Sequence, residues 1–385
     1  MRSDEFRIRA DIDLDALIFN MESMKKSLSA GTGMIAVIKS DAYGHGAVYA
    51  AHTLEALPYL WGFAVATIDE AVSLRENGVK KPVLILGPVY SDYYDAAVRY
   101  DIRQVIFTKE EADAISKEAK RQGKKAYAHI AVDTGMGRIG VSCDDEGVKT
   151  VKEITEYEDI EFEGIFTHFP KADIKDISFT LKQTECFKGF ISKLKEKGVT
   201  FKLHHCANSA CIMNIRQADM DLVRAGISLY GLMPSKDVEK SIELKPVLAL
   251  KSHIVYIKEV APGTEISYGG TFKADRTMKI ATIPAGYGDG YPRGLSNNGC
   301  VLIRGKRAKI TGRVCMDQFM VDITDIPDAA LYDEVTLVGC DKDDRITMEE
   351  LASMYEGGFN YEIPCQLTAR VPRIYYREGK RCLLS

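Results

Sequence analysis

What most limits the architecture open to this chain is a repeated alternation through its first two thirds. Short apolar stretches are each followed by an amphipathic helical pattern. The stretches at 34–38, 61–64, 83–86, 104–107, 126–132, 161–167, 201–205 and 221–224 make eight candidate strands. Some of them, such as 34–38 and 83–86, are continuous apolar runs. Between them, 68–76, 109–122 and 177–197 repeat apolar residues at three- and four-residue spacing, the helical period. Eight βα units predict an α/β chain with a closed (β/α)8 TIM barrel, whose chemistry gathers at the C-terminal ends of its strands. A doubly wound open sheet competes with this reading, but the G-x-G-x-x-G turn expected after its first strand is missing.

After about residue 248 the texture changes. Segments 250–260, 279–284, 300–303, 309–313 and 334–338 are short and rich in β-branched residues, with Gly, Asn and Asp clusters between them, and one late helical pattern covers 348–355. The expected organisation is therefore a barrel over 13–247 and a separate, mostly β domain over 248–385. Residues 1–12, strand-like over 6–12, are expected to join the second domain.

At 385 residues and 46% hydrophobic content, the chain is long enough for two cores. A net charge of −4 leaves no electrostatic footprint for nucleic acid or an anionic membrane, so a small-molecule substrate is expected. The charged N-terminus lacks an apolar leader core, and no run reaches the ~18 apolar residues of a membrane span, so the expected location is cytoplasmic. Nine cysteines without a C-x-x-C pair are read as reduced core thiols, with neither a disulfide framework nor a metal site. His204 and His205 are adjacent and so face opposite sides of their strand, which argues against a shared metal.

The first apolar stretch ends in Lys39 and runs directly into Ser40-Asp41-Ala42-Tyr43-Gly44-His45-Gly46. A lysine at the mouth of a buried strand is more readily neutral and can act as a Schiff-base nucleophile. The glycine-rich loop behind it supplies backbone N–H groups and a phenol suited to a phosphate, and together these suggest pyridoxal phosphate. Further sets fall at the other strand ends. Asp133-Thr134-Gly135-Met136-Gly137-Arg138 follows the fifth strand, His168 closes the sixth, Ser209 stands at a helix start after the seventh, and Arg224-Ala225-Gly226-Ile227 closes the eighth. In the β domain, Tyr268 lies between small residues, and Gly312-Arg313-Val314-Cys315-Met316-Asp317-Gln318 follows later.

In these elements, and in Ala285-Gly286-Tyr287-Gly288-Asp289-Gly290, the chain resembles the alanine racemase family, the fold-type III enzymes that use pyridoxal 5'-phosphate. The resemblance covers nearly the full length. It implies racemisation of L- and D-alanine, supply of D-alanine to peptidoglycan, and a head-to-tail homodimer whose β domain completes the partner's site. It assigns Lys39 to the coenzyme linkage and to proton exchange on one face of the substrate Cα, and Tyr268 of the partner subunit to the opposite face. Arg224 is implied to face the pyridine nitrogen, with His168 hydrogen-bonding it. Tyr43, Ser209, Gly226 and Ile227 are implied phosphate ligands. Arg138 is implied to touch the coenzyme phenolate and the substrate carboxylate, Met316 to line the carboxylate site, and Tyr287 to narrow the entrance.

Each residue also has an ordinary reading: His168 as a core histidine, Ser209 as an N-cap, Met316 as core filler, Tyr287 as packing. A fold-type III decarboxylase would place a carboxylate at the pyridine nitrogen, and Arg224 speaks against it. A single-domain cofactor carrier would stop after the barrel. Two departures from the family pattern stand out. Ala131 occupies the place of a lysine that braces the loop arginine in many members. Ala369 stands before Arg370-Val371-Pro372-Arg373, where some members have a tyrosine, and the lost phenol predicts activity on serine or other small amino acids as the alternative to strict alanine use.

Overall fold

The structure is a computed structural model that describes residues 6–382. Residues 1–5 of the expected N-terminal segment and 383–385 of the expected second domain lie outside these. The chain divides into two compact units. One comprises residues 17–42 and 47–244, and the other the N-terminal segment up to Ala16, residues 43–46 and the chain from Lys245 onward.

Strand β1 (Ile8–Asp13) and helix α1 (Leu14–Ser27) lead into β2 (Gly33–Val37), β3 (Leu60–Val65), β4 (Val83–Ile85), β5 (Arg103–Ile106), β6 (Ala126–Asp133), the short β7 (Val141–Ser142), β8 (Ile160–Phe166), β9 (Leu203–His205) and β10 (Leu222–Ala225). All pairings among β2 to β10 are parallel. The order runs β5-β4-β3-β2-β10-β9-β8-β6, and β5 also pairs with β6, which closes an eight-stranded barrel with β7 appended to β6. No open edge remains, so the doubly wound alternative is excluded. Met34, Ile35, Ala36, Phe63, Ala64 and Val65 are all buried, as strands covered on both faces require.

Local chemistry sets the helix boundaries. Thr67 and Thr108 each accept a hydrogen bond from the backbone N–H three residues on, while Glu70 and Glu111 reach back to the cap N–H. These capping boxes start α4 (Ile68–Glu76) and α6 (Lys109–Gln122), where helix α2 (Lys39–Gly44), α3 (Ala47–Leu54) and α5 (Tyr94–Arg99) come earlier in the chain. Asp144 caps α7 (Asp145–Ile154), and α8 (Ser178–Glu196) and α9 (Ser209–Asn214) follow, the last capped by Asn208. Each such cap contributes about 1 kcal/mol.

In the second unit, β1 pairs antiparallel with Leu248–His253 and parallel with Arg373–Arg377, so the N-terminal strand sits inside the larger sheet. A three-stranded sheet of Tyr256–Val260, Met278–Ile283 and Phe319–Asp322 packs Val260, Met278 and Ile280 with Ile266 and Ala274 into a small core. The stretch 250–260, read as one segment, is two strands in two sheets. It contains no glycine or proline to mark the switch at Ile254, whose N–H goes to Asp333. The late helix is Met348–Ser353, and a second short helix, Glu362–Gln366, carries Pro364 in its first turn, where proline is tolerated.

The reading of all nine cysteines as reduced core thiols is corrected. Cys143 and Cys186 form a disulfide across 43 residues of sequence, and Cys340 and Cys365 are exposed. Only Cys206, Cys211 and Cys300 are buried thiols. Among the described residues, no helix is long and apolar enough to cross a membrane.

Candidate active site

Beyond β2, Ile38 still donates to the Ala64 carbonyl at 2.8 Å, and Lys39 then opens α2. The expected glycine-rich loop is instead a left-handed turn. Ser40, Asp41, Ala42 and Tyr43 have φ of 54°, 51°, 55° and 53°. Four consecutive non-glycine residues in this region cost about 1–2 kcal/mol each, so the turn persists only because its surroundings hold it. Ser40 N–H donates to Glu70 at 2.5 Å, Asp41 accepts from Ala47 N–H at 2.7 Å, and Arg373 donates to the Gly44 carbonyl at 3.0 Å. Gly44 continues at φ 81°, where a Cβ would strike the Pro364 carbonyl. Burial pushes the Tyr43 phenol well above its usual pKa, so it remains a donor.

Arg224, on β10, is buried and held on all sides. One terminal nitrogen donates to His205 Nδ1 at 2.7 Å and to the His205 carbonyl at 3.1 Å. The other donates to the carbonyls of Thr167 at 2.8 Å and Cys206 at 3.1 Å, and to His168 Nδ1 at 3.1 Å. Its Nε–H has no partner among the described residues. Burial lowers its pKa to about 10, which leaves it charged at neutral pH. His168, immediately beyond β8, is brought down to about 3 by burial and then by the Arg224, Arg138 and Lys39 cations, so it is a neutral acceptor. Three cations thus converge on one strand-end region.

Arg138 follows β6 on a loop that Asp133 organises by accepting from Gly135 and Gly137 N–H. Thr134 Oγ1 lies 2.7 Å from Thr167 Oγ1 and accepts from Gln183 at 3.1 Å. Arg138 itself is exposed and has no ion-pair or hydrogen-bond partner among the described residues. Ala131, buried in β6, offers it none. Ser209 begins α9, and its hydroxyl accepts from Gly226 N–H at 3.0 Å and Ser228 N–H at 3.3 Å. Ile227 lies between these two donors, and its own N–H has no partner among the described residues.

In the second unit, Tyr268 rides on a tight turn (Tyr268–Gly270) whose flanking Ser267 donates to the Arg313 carbonyl at 2.7 Å. Backbone bonds from Tyr287 N–H to Cys315 and from Gly288 N–H to Met316 bring the Tyr287 and Met316 loops together. Tyr268 is 72% exposed, Met316 52% and Tyr287 42%, so all three are presented outward and none is core filler.

The chain matches the family models described as alanine racemase N-terminal domain over residues 12–234 and alanine racemase C-terminal domain over 247–375. It is 44% identical over 366 residues to "Alanine racemase" of Halothermothrix orenii, spanning 95% of this chain and 96% of that one. Its fold superposes with a TM-score of 0.93 on alanine racemase of Clostridium difficile 630 at 40% identity, covering 98% and 97% of the two chains. A structure of that protein in complex with cycloserine superposes at 0.91, with 38% identity and coverage of 98% and 97%. The chain belongs to the alanine racemase family.

Within an alanine racemase framework, four features stand outside the motif reading. His205 lies closer to Arg224 than His168 does, and His129 stands behind it with its Nδ1 2.9 Å from His205 Nε2. His204, by contrast, points outward to Asp221 at 2.6 Å. Asp289 is fully buried, accepts from Arg7 and from Gly286 N–H, and lies 3.5 Å from Arg370, which also donates to Asp317. The chain of charges pins both the Tyr287 and the Met316 loops. Finally, the Tyr361 ring lies 6.4 Å from the Tyr43 ring, whereas Ala369 is exposed. Tyr361 thus places an aromatic ring near Tyr43, while position 369 carries no phenol, as the sequence expects.

The buried histidines make stability depend on pH. His129 is lowered to about 3 and His205 well below its ordinary value, in both cases chiefly by burial. The unfolded chain therefore binds these protons near pH 6.5 while the folded chain refuses them, so stability is full above that pH and falls below it. For two such groups the loss approaches about 3 kcal/mol per pH unit. Urea unfolding between pH 7 and 5 will follow this fall; a flat profile would mean that the rings accept protons in the folded state.

Proposed function

We propose that this protein racemises alanine with pyridoxal 5'-phosphate, residues 13–247 acting as the coenzyme-binding domain and 248–385 as the domain that completes a partner's site. The observation that carries the reading is Arg224. Its terminal N–H groups are committed to protein acceptors, and a charged donor remains at Nε, which fits an unprotonated ring nitrogen and no protonated one. The group fits elsewhere too. Ser209, the Gly226–Ile227 backbone and the Tyr43 phenol suit a phosphate, and Lys39 is the amine for the covalent link. When bound, the coenzyme withdraws electrons from the substrate Cα and makes its proton removable.

The chain's own groups do the rest. Lys39 exchanges the proton on one face of Cα, on the side of the D-isomer. Tyr268 of the partner subunit serves the other face, because one base returns a proton only to the side it came from. Arg138 orients the substrate carboxylate and faces the coenzyme phenolate, with Met316 of the partner subunit lining the same region and Tyr287 of the partner subunit narrowing the approach. His168 keeps Arg224 in place. Arg224 cannot release a proton to the ring, which limits how long negative charge is stored there and suppresses transamination. The outward presentation of Tyr268, Met316 and Tyr287 supports a homodimer. Cytoplasmic supply of D-alanine for peptidoglycan follows from the activity.

A chiral assay of the purified protein with added coenzyme across alanine, serine and lysine tests this. Alanine will be racemised fastest in both directions, with serine the alternative substrate for which the phenol missing at Ala369 leaves room. Serine turnover equal to alanine would support the broad-specificity alternative, and no turnover of alanine would overturn the function.

A further inference from the structure

We propose that His205 and His129 are positioning residues for Arg224, forming a neutral relay down the barrel interior that pins the guanidinium without neutralising it. A guanidinium has only donors, so the 2.7 Å contact from Arg224 requires a lone pair on His205 Nδ1 and puts that ring's proton on Nε2. His205 Nε2 then donates across 2.9 Å to His129 Nδ1, which in turn places the His129 proton on its own Nε2. That last N–H is buried without a partner, the far end of a chain whose direction Arg224 alone dictates. One arginine thereby sets two tautomers.

The packing holds both rings. His205 stacks on Phe166 with centroids 5.0 Å apart and planes within 6°, and the Arg224 guanidinium lies 5.4 Å from the same ring. His129 meets Trp61, which comes from across the barrel, at 5.4 Å. On its other side it faces Gly164, its register partner on β8, where a Cβ would come within 2.6 Å of the imidazole. Burial also keeps both rings uncharged. The chemical point lies in what is absent from this set: Arg224's acceptors are two imidazoles and three carbonyls, with no carboxylate among the described residues. A carboxylate would hold the guanidinium equally well, but would cancel much of the positive field directed at the ligand through Nε–H.

The consequence for turnover rests on the proposed function, while the tautomers can be read independently of it. In holoenzyme with ¹⁵N-labelled histidine, ring spectra will give His205 and His129 as neutral Nε2–H tautomers, unchanged between about pH 6 and pH 8. An imidazolium or an Nδ1–H tautomer at His205 overturns the relay. His205→Leu will lower kcat for alanine about tenfold or more while KM moves by less than about threefold, and the ¹⁵N signal of labelled coenzyme's ring nitrogen will shift. His205→Asn, whose amide oxygen can stand in for Nδ1, will recover most of the rate and the original signal. Equal rates and unchanged ring-nitrogen signals in both variants would reduce His205 to a packing role and overturn the proposal. Should His205→Leu not fold, the wild-type tautomers and the Asn variant decide. If the tautomers are as stated but the wild type does not racemise alanine, the proposed function fails and the relay stands.

Discussion

Replacing Lys39 by alanine will abolish racemisation in both directions, lowering kcat/KM for alanine by about ten thousand-fold or more. The size follows from the two roles proposed for this amine, the covalent link to the coenzyme and the proton exchange at Cα. The left-handed turn of Ser40 to Tyr43 begins immediately after Lys39, fastened by Glu70, Asp41 and the Gly44 carbonyl. No neighbouring lysine is recorded within that turn to substitute for it. Because the turn is held by these other groups, the alanine variant is expected to fold and to bind coenzyme non-covalently. The visible absorbance of the covalent link will vanish, and an added small primary amine will restore part of the proton transfer. Persistence of the visible band in the variant would reassign the linkage to another lysine.

Tyr268→Phe separates the two faces of the substrate. The substitution removes one oxygen and leaves Ser267, Gly269 and Gly270, which shape the turn, untouched. Proton removal from L-alanine will slow by about a hundred- to a thousandfold, as expected for loss of a positioned acid/base, and removal from D-alanine will slow less. Single-turnover exchange of Cα deuterium, run from each isomer, reads the two steps apart. Equal losses from both isomers would mean one base, or a phenol that only packs.

The barrel could be read from the sequence because short apolar stretches at its strands alternate with helical periods at its connections. Helices α4 and α6 have readable boundaries for a further reason: a threonine followed three residues later by glutamate is itself the capping device. The second unit resisted reading where strands change sheets, as at Ile254, since the run 250–260 has no glycine or proline to mark a change of partner. In the candidate site, Lys39 and Arg224 announce themselves by standing where strands end, and Arg138 by its glycine-rich loop. His205 and His129 do not, because an imidazole inside an apolar strand looks like core until a long-range partner is known. Arg7 and Asp289 are separated by 282 residues, Cys143 and Cys186 by 43, and no local pattern joins either pair. The left-handed turn was hidden by its composition, for Ser-Asp-Ala-Tyr carries no glycine to advertise positive φ.

Arg138 and Ala369 both bear on specificity. Arg138 has no brace at Ala131 and no other partner among the described residues, so its orientation in use depends on what binds it. Ala369, exposed and without a phenol, leaves open the room that points toward larger substrates.

The central claim is that each site takes its amine from one chain and its phenol from the other, and mixed dimers test it most directly. Lys39→Ala and Tyr268→Phe chains, differently tagged and co-expressed, yield a heterodimer in which one site carries both substitutions and the other carries neither. The account predicts that this heterodimer recovers about half the alanine racemisation of the wild-type dimer, although each parent variant is nearly inactive. A heterodimer as inactive as its parents would place Lys39 and Tyr268 in the same chain's site and contradict the account.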